Sequence, residues 1–160
     1  MFVLPAGVTG FAHRVRKPEW PWTDANAFRE RCRAAARALR RKFLGFDEPY
    51  SRTTNSFAVA TLDAPAGPVA VLLNAHFPIV SFAVAPAVDA LEQRFVDAPE
   101  LLEHFRALGA YEVLDRSEVE APITDAAVAL LSKGERGQLK YWMRNSSNFR
   151  VGDVIFNNWD

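Results

Sequence analysis

Apolar residues between Thr23 and Gly45 recur every three or four positions, which predicts an amphipathic helix. Thr23 or Asp24 can cap its first turn with a side-chain oxygen, and Gly45 marks its end. Phe28 and Cys32 lie on the apolar stripe of this helix. We therefore expect Cys32 to be a small core residue and not a nucleophile.

The middle of the chain has short apolar runs separated by turn residues, a pattern typical of an antiparallel sheet. Residues 57–62 and 69–75 flank a segment rich in proline and alanine, so they are predicted to form a hairpin. Residues 79–85 follow closely as a third strand, and residues 43–46 can add an edge strand. Residues 71–73 are apolar without alternation, which predicts a central strand covered on both faces.

The second half of the chain is predicted to be mainly helical. Two capping-box patterns, in which a short polar residue is followed three positions later by Glu, begin at Asp97 and Ser132. Near the end, Val151, Ile155 and Trp159 recur at helical spacing, while Val154 and Phe156 also fit a strand; a helix is favoured. The predicted elements are a helix over 97–108, a strand over 111–114, a helix over 124–131, a helix that begins after Ser132, and a helix over 151–160.

This order of elements predicts an α+β fold. We expect a central antiparallel sheet of about three to five strands, flanked by an N-terminal helix and C-terminal helices. Residues 1–160 are expected to form one domain, with residues 1–22 as an extended N-terminal strip over the core. Trp142, Phe156 and Trp159 are expected to pack together or onto the sheet, because large apolar groups are unlikely to be left in water.

The composition of the chain indicates which compartment and which classes of protein are favoured. Cys32 is the only cysteine, which favours a reducing compartment and excludes zinc sites built from several cysteines. Polar residues and prolines interrupt the most apolar stretch, residues 69–91, so we expect no membrane span. The common motifs of phosphate-binding loops, nucleophile elbows and zinc proteases are absent. The sequence thus predicts a cytoplasmic protein without a cofactor or metal site, and it favours a non-enzyme.

Charge is distributed unevenly although the net charge is zero. Residues 1–60 carry 11 Lys/Arg and 5 Asp/Glu, a balance of +6, whereas residues 61–160 carry 8 and 14, a balance of −6. The acids are densest over residues 89–125. The simplest interpretation is that the two halves form solvated faces that partly neutralise each other in the fold.

The leading functional hypothesis is a non-catalytic protein-binding module that docks a basic protein partner on the acidic stretch. One concrete version is an immunity-type inhibitor that neutralises a basic bacterial toxin in the cytoplasm. The arginine- and alanine-rich composition fits a bacterial source of high GC content. The residues predicted to bind the partner are Glu100, Glu103, Asp115, Glu118 and Glu120.

A second hypothesis is a small enzyme or ligand-binding domain with a pocket near Asn55, Asn74 and His76. Asn74 and His76 project from the same face of a strand, and histidine is the usual general base at neutral pH. Hydrogen bonding at a strand end is the simpler role for this pair. His13 and His104 are expected in surface or packing roles.

Two further hypotheses concern anions. The polar loop over residues 52–56 could hold an anion, although a turn rich in side-chain-to-backbone hydrogen bonds is favoured. Nucleic acid could bind the arginine-rich part of the first helix, residues 29–42. The sequence argues against that function, because this helix has no aromatic residue on its polar face and the pI is about 6.8.

Overall fold

The structure is a computed structural model that describes residues 1–11, 21–51, 54–88, 90, 92–144 and 148–159. Among these residues, no helix is long and apolar enough to cross a membrane. The elements in chain order are α1 (Ala25–Ala38), β1 (Phe43–Asp47), β2 (Phe57–Leu62), β3 (Val69–Asn74), β4 (Ile79–Val84), α2 (Pro99–Leu108), β5 (Glu112–Val113), α3 (Arg116–Val119), α4 (Lys133–Met143) and α5 (Val151–Ile155).

The strands form one sheet in the order β1-β2-β3-β4-β5. The first three pairings are antiparallel, as the hairpin pattern predicts. The short strand β5 pairs with β4 in parallel, with Ile79 opposite Glu112. Farther along the same edge of β4, Ala83 forms an antiparallel bridge with Phe95. The expected α+β fold, with helices on either side of the sheet in the sequence, is confirmed.

Both faces of the sheet are covered, which explains why β3 lacks a polar face. Val71 and Leu73 of β3 belong to a core with α1 and α2. Ala70 and Leu72 point to the opposite core, which is formed with the N-terminal segment and the C-terminal helices. The prediction of a central strand covered on both faces is therefore confirmed.

Helix α1 begins where the sequence predicts and ends earlier. The side chain of Asp24 accepts a hydrogen bond from the backbone of Ala27, which caps the first turn. Cys32 is completely buried, and this burial raises the pKa of its thiol well above the ordinary value. The helix stops at Ala38, and Phe43 begins β1 instead of extending the helical stripe.

Two predicted helical features are wrong. Helix α2 has Ala98 as its N-cap, without a side-chain cap, and not Asp97. Residues 124–131 form successive turns and not a helix. One cause is that the carbonyl of Ala127, which a helix would bond to residue 131, accepts the backbone N–H of Leu4 at 2.9 Å.

The C-terminal segment forms a shorter helix than the predicted 151–160. Helix α5 ends at Ile155, and Phe156 is buried against Phe57 and Phe95. The rings of Trp142 and Trp159 lie nearly parallel, with centroids 6.2 Å apart. The predicted packing of these large side chains is confirmed.

Candidate functional site

Acidic residues are concentrated in residues 92–120, and we call the exposed side chains of this segment the acidic face. The segment contains the bridge to β4, helix α2, strand β5 and helix α3. It carries eight Asp/Glu and three Arg, a balance of −5. All five residues predicted to bind a partner lie within it.

Hydrogen bonds inside the chain fix several of these carboxylates. Glu100 accepts from Arg41 at 2.9 Å, and Glu118 accepts from Arg106 at 3.3 Å. Asp115 caps α3, and Glu118 completes the capping box by accepting the backbone N–H of Asp115. The hydrogen bonds from Ser117 and from the backbone of Glu118 lower the pKa of Asp115. These acids are thus held in fixed positions.

Arg116 joins two parts of the acidic face. Its guanidinium donates to Glu120 at 2.6 Å and lies 3.6 Å from Asp97. The hydrogen bond to Glu120 raises the pKa of Arg116. Exposed ion pairs of this kind contribute little to stability, so their main effect is to order the side chains.

Glu103 and Glu112 differ from these acids because both are exposed and their side chains have no partner among the described residues. Glu103 lies on α2, and Glu112 lies on β5. They are the least neutralised carboxylates of the acidic face. Sequence reasoning included Glu103 among the binding residues and missed Glu112, because the ion pairs that leave these two acids unpaired depend on the fold.

A cleft of about 660 Å³ opens beside the acidic face. Its lining includes Glu92, Arg94, Glu120 and Arg150. A smaller and more apolar cleft of about 290 Å³ adjoins it and shares Arg116. The larger cleft carries both signs of charge, because Arg94, Arg116 and Arg150 lie beside Glu92 and Glu120.

Arg150, which sequence reasoning missed, supports one wall of the larger cleft. It donates to both carboxylate oxygens of Asp153 at 2.9 Å and to the backbone carbonyl of Gln93 at 2.7 Å. Its guanidinium also lies over the ring of Phe95, 4.9 Å from the centroid. The hydrogen bond to Asp153 raises the pKa of Arg150. The contacts of Arg150 with Gln93 and Phe95 join residues more than 50 positions apart, so no local signal marks them.

Asn55 and Asn74, from the hypothesis of a pocket near His76, are completely buried and bonded to backbone. Asn55 donates to the carbonyl of Phe57 at 2.9 Å. Asn74 donates to the carbonyls of Val8 and Ile155 and accepts two backbone N–H groups. Their side chains cross-link backbone segments and do not line an open pocket.

His76 lies beside these residues and is also buried. Its Nδ1 is 2.9 Å from the carbonyl of Pro21, which can only accept, so Nδ1 carries the proton. In the neutral ring Nε2 then accepts the hydroxyl of Tyr50, also at 2.9 Å. The exposed ring of Trp22 packs on His76 with centroids 4.4 Å apart.

Tyr50 is the member of this cluster that sequence reasoning missed. It adopts a left-handed backbone conformation with φ 57°, uncommon for a residue with a side chain. Burial raises the pKa of its hydroxyl, so Tyr50 is a neutral hydrogen-bond donor. The pair of Tyr50 and His76 can orient a polar group but offers no ionised nucleophile.

The arginines of α1 are largely used within the chain. The guanidinium groups of Arg29 and Arg33 lie over Phe46 and Phe43 of β1, 5.5 and 5.1 Å from the ring centroids. Arg31 lies over the ring of Tyr111 in the same way and donates a hydrogen bond to the hydroxyl of that residue. These contacts leave less of the first helix available to nucleic acid than the sequence implies.

The remaining predicted residues play local roles or lie outside the described ranges. His104 of α2 meets the ring of Phe105 edge-on. In the polar loop, Thr54 and Ser56 donate to the backbone carbonyls of Asn158 and Asn157 in the C-terminal segment. The predictions for His13 and for residues 52–53 fall outside the described residues.

Comparison of the chain with protein-family models, with curated proteins and with solved structures gives no significant match. Within the described part of the chain, no group of three or more His, Cys, Asp or Glu side chains is arranged to hold a metal ion.

Proposed function

We propose that this protein is a non-catalytic recognition module that binds a basic protein partner through the acidic face. The observation that carries the proposal is the excess of five negative charges over residues 92–120, on a surface with clefts beside it. Complementary charge accelerates association and selects against wrong partners. An inhibitor of immunity type, which neutralises a basic bacterial toxin, is the version that we would test first.

The internal ion pairs suit this function. Because Arg116 and Arg106 hold Asp97, Glu118 and Glu120, these carboxylates lose little side-chain freedom when a partner binds. Glu103 and Glu112 have no such partner and would meet lysines or arginines of the bound protein directly. Arginine is the residue best suited to such contacts, since its planar group bonds a carboxylate at two points.

The test begins with co-expression of the chain with the protein encoded by each flanking gene, followed by affinity capture. A basic protein is expected to co-purify with the unaltered chain. Reversal of two charges, Glu103→Lys with Glu112→Lys, should weaken the complex at least about tenfold by calorimetry, the size of effect measured when charged partners are separated. Inhibition of the partner's own activity would identify the toxin-inhibitor version.

The matched control reverses two exposed acids outside the acidic face, Glu48→Lys with Asp125→Lys. Both double variants change the net charge equally, so only the position of the charges differs. Circular dichroism checks that each variant remains folded. Equal affinity of the two double variants, or capture of no basic partner, would contradict the proposal.

A further inference from the structure

Helix α4 carries a basic stripe that the sequence-based hypotheses did not single out. Lys133, Arg136, Lys140 and Arg144 are spaced by three, four and four residues, so they lie on one side of the helix. All four are exposed. None of the four forms an ion pair within the described residues. The seven ion pairs between described residues involve other charged side chains. We call these four residues the α4 stripe.

The α4 stripe contrasts with three of the four arginines of α1 and with Arg41, which follows that helix. Arg29, Arg31 and Arg33 lie over aromatic rings, and Arg41 pairs with Glu100. Those cations are already engaged within the fold. The cations of α4 have no carboxylate partner within the described residues, and the only carboxylate on the helix, Glu135, is buried on the opposite side.

Exposed apolar side chains flank the stripe on both sides. By helical geometry, Tyr141 lies next to the stripe on one side and Met143 on the other. Tyr141 is 57% exposed and Met143 is 38% exposed. The ring of Trp142 supports Tyr141 edge-on, with centroids 5.7 Å apart. Cations in a row beside an exposed aromatic ring are the combination that binds single-stranded nucleic acid.

From these observations, we infer that the α4 stripe binds single-stranded nucleic acid without sequence specificity. The four cations span about 16 Å along the helix and contact successive phosphates, while Tyr141 stacks on an unpaired base. A duplex fits less well because its bases are not available to the ring. The inference concerns a different surface from the acidic face and does not depend on the proposed function.

The probe is a fluorescent oligothymidylate of about 15 nucleotides, titrated with the full chain and followed by anisotropy. A dissociation constant on the order of 10⁻⁵ M is expected at low salt, with a salt slope of about −2 to −3 for three or four phosphate contacts. Substitution of Arg136, Lys140 and Arg144 by Gln should weaken binding at least tenfold. Tyr141→Ala should weaken it at least about fivefold, as loss of one stacked base predicts.

The matched control replaces three exposed cations at and after the end of α1, Arg37, Arg40 and Lys42, by Gln. Its net charge equals that of the stripe variant, and it should bind like the unaltered chain. Equal weakening by the two triple variants would overturn the inference, and so would an absence of binding at low salt. Equally tight binding of polyglutamate would indicate an acidic protein ligand instead. A preference for duplex, with no effect of Tyr141→Ala, would exclude the single-stranded ligand.

Discussion

Asn74 joins three separate parts of the chain through a single amide. Its nitrogen donates to the carbonyl of Val8 at 2.9 Å and to that of Ile155 at 2.8 Å. Its oxygen accepts the backbone N–H groups of His76 and Phe77. The sequence places two polar side chains on one strand face, but it cannot tell a pocket from a cross-link. The difference depends on segments 66 and 81 residues away.

Replacement of Asn74 by Ala is expected to lower the free energy of unfolding by at least about 3 kcal/mol. The change leaves two carbonyls and two N–H groups without their partners, each at a typical cost of about 1–3 kcal/mol when buried. Urea unfolding measures the loss. Asn26→Ala, an exposed amide on α1, is the control and should change the free energy by less than about 0.5 kcal/mol. Similar losses for both variants would show that Asn74 is not a structural cross-link.

The elements predicted from local sequence patterns match the structure best. The strands β2, β3 and β4 begin and end within a residue of the predicted bounds, because apolar runs and turn residues determine a hairpin locally. The parallel pairing of β5 is not predicted, since it depends on a contact between residues 33 positions apart. The four-residue helix α3 is also too short to give a periodic pattern.

The acidic face, too, is predicted only in part by the sequence. Its charge is visible in the sequence, and so are the five carboxylates predicted to bind. The pairing of Arg116 with Glu120 is a local i,i+4 contact, whereas its pairing with Asp97 depends on the arrangement of α3 beside the segment before α2. Which carboxylates remain unpaired, such as Glu112, therefore cannot be predicted from charge density alone.

Removal of residues 156–160 tests the C-terminal segment as an element of the core. Phe156 is buried, and its ring meets Phe57 at right angles with centroids 6.1 Å apart. Loss of one large aromatic residue from a core costs about 3–5 kcal/mol, so the truncated chain should melt at a much lower temperature. Leu130→Ala, at an exposed site, should leave the melting temperature nearly unchanged. An unchanged melting temperature after truncation would mean that the tail is a recognition element instead.

At the scale of the whole molecule, the two halves of the chain share few ion pairs within the described residues. Arg41 with Glu100 is the one ion pair that joins residues 1–60 to residues 61–160 within the described part of the chain. The other ion pairs described lie within one half.

The N-terminal segment is attached to α4 through a buried acid. Glu135 is completely buried, and its two oxygens accept four hydrogen bonds, from Gly7, from Thr9 twice and from Ser132. Asn157 near the C-terminus donates to the carbonyl of Thr9. Both ends of the chain are thus held by polar side chains in the interior, and the N-terminal segment should unfold together with the rest of the domain.

Glu135→Ala is therefore expected to lower the free energy of unfolding by at least about 3 kcal/mol, because four donors lose their acceptor. Glu135→Gln should cost less, since the hydroxyl of Thr9 can turn to accept from the new amide. Glu103→Ala is the control, an exposed acid whose removal should change stability by less than about 0.5 kcal/mol. Urea unfolding followed by both tryptophan fluorescence and circular dichroism measures all three variants. If Glu135→Ala unfolded at the same urea concentration as Glu103→Ala, the N-terminal segment would not be part of the cooperative core.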